Sequence, residues 1–565
     1  MQIIKVLIKI LTKKEKLSAF FILVLAILNS FGELIGIGTL IPFFLTIIDP
    51  NNPILDYLYK FFKVDNKQLV IICCVLIFVV YSIKFLLQTF YTYCSANFSA
   101  HVNTRLSYNL YNNYLNDEYE EIAIKNDKGN IFRNIGLVGE VTNNIFNLIN
   151  FIQALTITLI LFISMLIVDF TKSIFLFTSL GSIVLIYYFF IRKRITNYGS
   201  KFYDINRESI LRIFSAFDSI KSTKIVGSQE FFLNQFHETQ INLNFINRNK
   251  TFLQSFPRLI MEYILVIGII AASGYIIYID DSNNIGAVLF ISLSLVRILP
   301  NLFNMLTLTI NYQYLKISFL SVFDKKFYES AKKNVIPIKT DRPSFNGHIK
   351  LNNISYMYPN SKNLVLDKLD LLINQGDIIG IKGSSGSGKT TLIDILLGFL
   401  KPQEGSILVN DNQVERLYKK FSKISYVVQE IFIPQTSIRE NVAFGQNNID
   451  DKRVIESLKI ANFYDKFSGP EINSNLNYKL IQSGMNLSVG ERQRLNIARA
   501  FYQQPKLLVL DELTSSLDEK NSKIVLDSVK NYSFSNKCTV LLISHKPSDY
   551  SICDRVFNLE KNKFE

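Results

Sequence analysis

The sequence predicts an α-helical membrane domain with six spans, followed by an α/β P-loop nucleotide-binding domain. Three observations predict it. Six apolar stretches of about bilayer length crowd the first 310 of 565 residues. From His348 onward, short apolar runs alternate with helical patterns, as in a three-layer domain built on a parallel sheet. A glycine-rich phosphate loop then sits between one such strand and a helix. A chain of 565 residues is too long for one core, and 48% hydrophobic against 19% charged residues excludes a disordered or nucleic-acid tail protein.

The spans fall at about 17–48, 69–96, 142–168, 172–191, 258–279 and 286–311. Ahead of them, Lys5, Lys9 and Lys13 recur at helical spacing among Ile and Leu, a pattern for an interfacial helix, with an ordinary basic flank as the alternative. The N-terminal apolar run is too long for a signal peptide and lacks a small-residue cleavage site, so it is expected to remain as an anchor. The flank 1–16 and the loops 97–141 and 192–257 hold 19 Lys and Arg; the opposite side holds only Lys60, Lys63, Lys67 and Lys172. That asymmetry places the N-terminus, the long loops and the nucleotide-binding domain in the cytoplasm, and it accounts for the net charge of +14 without nucleic acid. Helical patterns such as Glu208–Phe217 and Phe231–Phe236 predict that the spanning helices continue beyond the membrane. Ile54, Leu58, Phe61 and Phe62 suggest one face of a short external helix.

Residues 312–345 turn polar and carry Pro337 and Pro343, which puts the domain boundary there: a membrane domain over 1–325 and a nucleotide-binding domain over 346–565. Ile378–Lys382, Ile424–Val428, Leu507–Leu510 and Thr539–Ile543 read as buried parallel strands. Cys73, Cys74, Cys94, Cys538 and Cys553 form neither CxxC nor Cys/His spacings and read as free thiols.

The phosphate loop is Gly383, Ser384, Ser385, Gly386, Ser387, Gly388, Lys389 and Thr390, matching GxxxxGK[ST]. Its glycines let backbone amides face phosphates at a helix N-terminus. Lys389 is then expected on the β- and γ-phosphates of ATP, and the Thr390 hydroxyl on Mg²⁺. Leu507-Leu508-Val509-Leu510-Asp511-Glu512 ends a strand in two carboxylates. Asp511 suits the metal shell, and Glu512 can polarise an attacking water.

Leu487-Ser488-Val489-Gly490-Glu491 resembles the LSGGQ signature of ATP-binding cassette (ABC) proteins, with Val489 and Glu491 as departures. Tyr358 resembles the family's adenine-stacking aromatic, Gln429 the metal-contacting glutamine, Ser515-Ser516-Leu517-Asp518 the D-loop, and His545 the switch histidine. The resemblance also implies nucleotide contacts at Thr391, Ser488 and Gly490. Six spans plus one cassette resemble a half-transporter of the type IV ABC exporters. That implies an ATPase coupled to transport, working as a dimer in the bacterial inner membrane. A homodimer is expected, with a heterodimer as the alternative.

For the substrate, the intramembrane charges are informative because each is costly in a bilayer. They are Glu33, Lys84, Arg258, Glu262 and Arg297. Arg258 and Glu262, four apart, suit a mutual pair; Lys84 and Arg297 have no acidic neighbour in sequence and suggest an anion site. Phe256–Glu262 and Val296–Pro300 resemble segments of the bacterial lipid-linked oligosaccharide flippases. That resemblance implies Lys84, Arg258 and Arg297 as contacts for a polyprenyl-pyrophosphate-linked saccharide. The alternative is a multidrug or lipid A-type exporter; a peptide exporter is expected to carry an N-terminal protease domain, for which Met1–Lys16 is too short.

Overall fold

The computed structural model describes residues 10–48, 55, 58, 60, 62, 64–122, 128–168, 170–279, 285–323, 342–359, 361–429, 431–465, 476–481, 484–513 and 517–565; the side chains of 271–290 are also outside the description. The chain divides into two compact units, Met1–Asp117 with Glu121–Val335, and Glu118–Glu120 with Ile336–Glu565.

The first unit is helical: α1 (Lys13–Ile48), α2 (Asn66–Asn116), α3 (Lys128–Val168), α4 (Phe170–Asp218), α5 (Ile220–Val226), α6 (Gln229–Ile279) and α7 (Ile285–Val322). Thr12 and Glu15 cap α1 reciprocally, each side chain accepting from the other's backbone N–H. The 51 residues of α2 span roughly 75 Å at 1.5 Å per residue, more than twice a bilayer core. The spanning helices therefore run well past the membrane, as the helical patterns in the long loops predict. Among the described residues, five helices are long and apolar enough to cross a membrane. The expected span 258–279 belongs to the continuous helix α6, though the side chains of its far end are outside the description.

Large apolar side chains such as Phe78, Phe175 and Phe190 are exposed on these helices, the surface expected where lipid replaces water. Polar and small residues face inward: Ser30, Ser95, Thr158 and Ser294 are buried. Close approach is enforced by glycine. A Cβ at Gly199 of α4 would lie 2.0 Å from the Tyr314 carbonyl oxygen of α7. Between α1 and α2, the described residues of the expected apolar face divide. Leu55 is fully buried with Leu45, Leu69 and Cys73, Leu58 packs against them, and Phe62 is exposed. Ile54 and Phe61 lie outside the described residues.

The second unit is α/β. An antiparallel sheet, in the order β2-β1-β4-β5, contains β1 (Ile349–Tyr356), β2 (Leu366–Ile373), β4 (Glu404–Val409) and β5 (Asn412–Gln413). The second sheet runs β10-β9-β3-β8-β7-β6, with β3 (Ile378–Lys382), β6 (Ile424–Val427), β7 (Leu507–Asp511), β8 (Thr539–Ile543), β9 (Arg555–Asn558) and β10 (Lys563–Phe564). Its β9-β3-β8-β7-β6 core is parallel. Alternate residues feed two cores. Leu508, Leu510, Val540 and Leu542 face the one containing α12 (Val489–Tyr502) and α13 (Glu519–Asn536). Leu507, Val509, Leu541 and Ile543 face α8 (Lys389–Leu397) and the antiparallel sheet. Burial on both faces explains why these strands read as unbroken apolar runs. Three short helices, α9 (Leu417–Lys420), α10 (Ile438–Val442) and α11 (Asp451–Ile460), complete the unit.

Candidate functional site

The phosphate loop leaves the carboxyl end of β3, at Lys382, and closes onto α8. Gly386 (φ 80°) and Gly388 (φ 97°) take left-handed backbone conformations, and a Cβ at Gly388 would also meet Val365 Cγ1 at 2.9 Å. Lys389 is 7% exposed and donates from Nζ to the carbonyls of Gly383 (2.9 Å) and Ser384 (2.7 Å), so its ammonium lies under the loop. Ser384, Ser385 and Gly386 are exposed. Ser387 Oγ is buried without a hydrogen-bond partner, a polar group left over for a ligand. Outside the sequence motif, Glu560 accepts from the Ser384 N–H at 2.8 Å, and hydrogen bonding from the Ser384 side chain and then its backbone holds the carboxyl below the ordinary range.

The parallel register brings the carboxyl ends of β7, β8 and β6 beside this loop. Asp511 pairs across from Ile543, so Glu512 and Ser544-His545 emerge together. Glu512 adopts φ 52°, its N–H donates to Ile543 O at 3.0 Å, and its carbonyl accepts from Gln493 Nε2 at 2.9 Å. Its carboxylate is thereby held between Gln429 Nε2 (2.7 Å) and His545 Nε2 (3.0 Å). Asp511 is 5% exposed, accepts from Tyr426 Oη at 3.2 Å and from the Thr390 hydroxyl, and burial pushes its pKa up. Asp394, on α8, is pushed up to about 6 by burial and then by the Asp511 charge. Tyr358 places its hydroxyl 3.1 Å from Thr391 Oγ1, beside the start of α8.

The structure thus brings Gln429, Glu512 and His545 into one contact set, and Thr390 and Asp511 into another. Asp394, Tyr426, Gln493 and Glu560 were missed by the sequence reading, because their roles arise from contacts with residues far away in the chain. Ser515 and Ser516 lie outside the described residues; Leu517 is buried and Asp518 is the N-cap residue of α13.

The signature segment opens α12. Ser488 is its N-cap: Ser488 Oγ accepts from Glu491 N at 3.3 Å, and Glu491 Oε2 accepts from Ser488 N at 2.8 Å. Glu491 therefore completes a capping box, a task glutamine performs equally. Val489 is 56% exposed, so its side chain costs no core space. Gly490 follows in the first turn.

In the membrane unit, a cavity of about 600 Å³ is lined by Lys84, Arg297 and Glu33 together with Gln88, Asn150, Gln153, Asn301, Asn304 and Thr307. Lys84 and Arg297, which have no acidic neighbour in sequence, meet Glu33 across helices. Its Oε2 lies 2.7 Å from Lys84 Nζ and 3.8 Å from Arg297 Nε. Sequence spacing concealed this, because the three residues come from α1, α2 and α7. Gly32 and Gly36, flanking Glu33, face α2: their Cβ positions would lie in ordinary contact, 3.8 Å from Lys84 and 3.5 Å from Tyr81. Arg258 pairs with Glu262 at 2.7 Å on the exposed side of α6 and is not among the described cavity-lining residues.

Residues 366–515 match the ABC transporter family. A Rickettsia typhi protein named as an export ATP-binding/permease protein is 34% identical over 220 residues, 38% of this chain and 37% of the relative. The leukotoxin translocation ATP-binding protein LktB of Mannheimia haemolytica is 34% identical over 227 residues, 40% of this chain and 32% of LktB. The chain thus spans about a third of the length of these curated relatives. Over 97% of its length it is similar in fold to 94% of a solved bacterial Atm1-family ABC exporter with ATP bound, with a TM-score of 0.75 and 15% identity. These findings define the class: a membrane-helical unit joined to a P-loop cassette. The 366–515 segment is an ABC transporter domain, and the chain as a whole has the fold of an ABC exporter half-transporter.

Proposed function

We propose that this chain is one half of an ATP-driven exporter. Two copies, or one copy and a second half-transporter, would carry an amphipathic anionic lipid across the inner membrane, with the cassettes cytoplasmic. A polyprenyl-pyrophosphate-linked saccharide is the substrate we favour. ATP fits the loop residues present, given the left-handed glycines, the Lys389 ammonium beneath the loop and the unpartnered Ser387 hydroxyl. Thr390 and Asp511 would hold Mg²⁺, with Gln429 close by through Glu512; the metal supplies charge neutralisation at the phosphates. Glu512, oriented by Gln429 and His545, would accept the proton of an attacking water. Ser488 and Gly490 would meet nucleotide held by the other cassette. The Ser488 hydroxyl accepts in the capping box and still has its own hydrogen to donate.

One observation carries the substrate reading: two cations and five amide side chains converge on one membrane cavity with a single carboxylate among them. Such a lining suits a charged, hydroxylated headgroup better than an apolar drug. Each of Lys84→Gln and Arg297→Gln takes the cluster from net +1 to neutral. A buried charge-assisted contact is worth roughly 1.5–3 kcal/mol, so either change should weaken a pyrophosphate lipid about ten- to hundredfold. The test is translocation of that lipid in proteoliposomes, with a neutral amphipathic drug as control. Normal lipid flipping with lost drug efflux would favour the multidrug reading.

A further inference from the structure

We propose that Glu33 is an exchangeable counter-ion, an internal anion that occupies the Lys84–Arg297 site until the headgroup of the substrate displaces it. The inference rests on the anionic-substrate reading and adds to it the residue that sets the charge the cavity prefers.

One carboxylate oxygen serves both cations, at 2.7 Å and 3.8 Å. The contact to Lys84 is tight, and both partners are largely shielded, 14% and 17% exposed. Arg297 is served poorly, by a contact at the edge of ion-pair range, and its side chain is 44% exposed in the cavity wall. A guanidinium directs several N–H groups in a fixed fork and is best satisfied by two oxygens side by side. Glu33 leaves that capacity largely unused, and a phosphate or diphosphate group carries oxygens enough to fill it. Lys84 also lies 5.2 Å from the Tyr81 ring centre, so it keeps a second favourable contact when its carboxylate partner moves.

Charge counting then favours exchange over joint occupancy. The cluster is net +1 with Glu33 in place and +2 with Glu33 turned aside. A dianionic headgroup entering beside Glu33 would put like charges at close range in a poorly screened site. Displacing Glu33 matches +2 against −2. A monoanion or a neutral amphiphile lacks the charge to win that exchange, so Glu33 would act as a filter for multiply charged heads. Asn301 and Asn304, one and two turns of α7 from Arg297, lie where the hydroxyls of such a head could be received.

The experiment compares Glu33→Gln with the unaltered full-length protein in zwitterionic nanodiscs. It titrates farnesyl diphosphate, and farnesol as the neutral partner, and reads the concentration giving half-maximal stimulation of ATP hydrolysis. Removing the internal competitor should lower the value for farnesyl diphosphate about tenfold and leave that for farnesol in place. Glu33→Asp keeps the charge but retracts it by one methylene, and should fall between; it also serves if Glu33→Gln does not fold. If farnesyl diphosphate stimulates the unaltered protein and both variants respond equally or more weakly, Glu33 is a fixed packing pair and the inference is overturned while the anionic-substrate reading stands. If farnesyl diphosphate acts no better than farnesol on the unaltered protein, the anionic-substrate reading itself fails.

Discussion

Replacing Asp394 with asparagine should stabilise the nucleotide-free protein at neutral pH. Asp394 sits on α8, five residues beyond Lys389, and burial followed by the Asp511 charge pushes its pKa up to about 6. An aspartate in an unfolded chain titrates near 3.9, so between about pH 4 and 6 the folded protein binds the extra proton. Stability therefore falls as pH rises through that window, and the loss is complete above the folded pKa. About two pKa units at ~1.4 kcal/mol each give an upper limit of ~3 kcal/mol, reduced by whatever water reaches the carboxylate. Asparagine keeps the shape and cannot ionise. The variant should thus exceed the wild type by about 1–3 kcal/mol at pH 7.5, and the two should converge as pH falls towards 4. Scanning calorimetry of the full chain in nanodiscs, without nucleotide, reads this from the cassette transition at several pH values. A gap that does not change with pH, or a variant less stable at pH 7.5, would refute the reasoning, because burial of the charge would then not be the operative cost.

The remaining predictions concern catalysis, the signature and packing. Glu512→Gln should cut steady-state ATP hydrolysis by at least about a hundredfold while nucleotide binding persists; Lys389→Ala should weaken the binding itself, and filter binding with turnover assays separates the two. Glu491→Gln keeps both halves of the capping box, so turnover should stay within a few-fold of wild type. Ser488→Arg puts a long cation at the N-cap and should block hydrolysis in a homodimer. Gly199→Ala must force α4 and α7 apart against a main-chain oxygen, and should cost at least about 2–3 kcal/mol in thermal unfolding of the membrane unit.

The cassette was legible in the sequence because its chemistry is local. A phosphate loop is eight consecutive residues, and the four strands behind it are buried on both faces, so each reads as an apolar run. The four strands are where the sequence places them, with β6 ending at Val427 and β7 reaching Asp511. What escaped are residues whose work depends on distant partners. Glu560 meets Ser384 across 176 positions, and Gln493 holds the Glu512 carbonyl from the signature helix. No spacing rule connects such pairs. The segment Glu118–Glu120 escaped for the same reason. It groups with the second unit, where Glu118 pairs with Arg416 and the Tyr119 ring lies 5.3 Å from that of Phe399.

The membrane charges show the limit most sharply. In a soluble helix, the partner of a charge is often three or four residues away, and Arg258 with Glu262 obeys that rule on the exposed side of α6. A charge facing the interior of a helix bundle meets residues of other helices, so its partner is whichever residue the packing brings opposite. For Lys84 that is Glu33, brought opposite it by the packing of α1 on α2. The sequence therefore identified which charges are costly and how the Arg258–Glu262 cost is met, but not how that of Lys84 and Arg297 is. The distinction matters for function. A cation paired on its own helix is satisfied wherever the helix goes, whereas a cation paired across helices is satisfied only while those helices keep their distance. Lys84 and Arg297 lie on different helices and share one carboxylate on a third. Any movement that separates α1 from α2 or α7 must therefore free at least one cation, and an anion in the cavity lowers the cost of that movement. An anion held in the cavity as proposed would be linked to helix separation through the same three side chains, and by reciprocity whatever drives the separation would strengthen its binding.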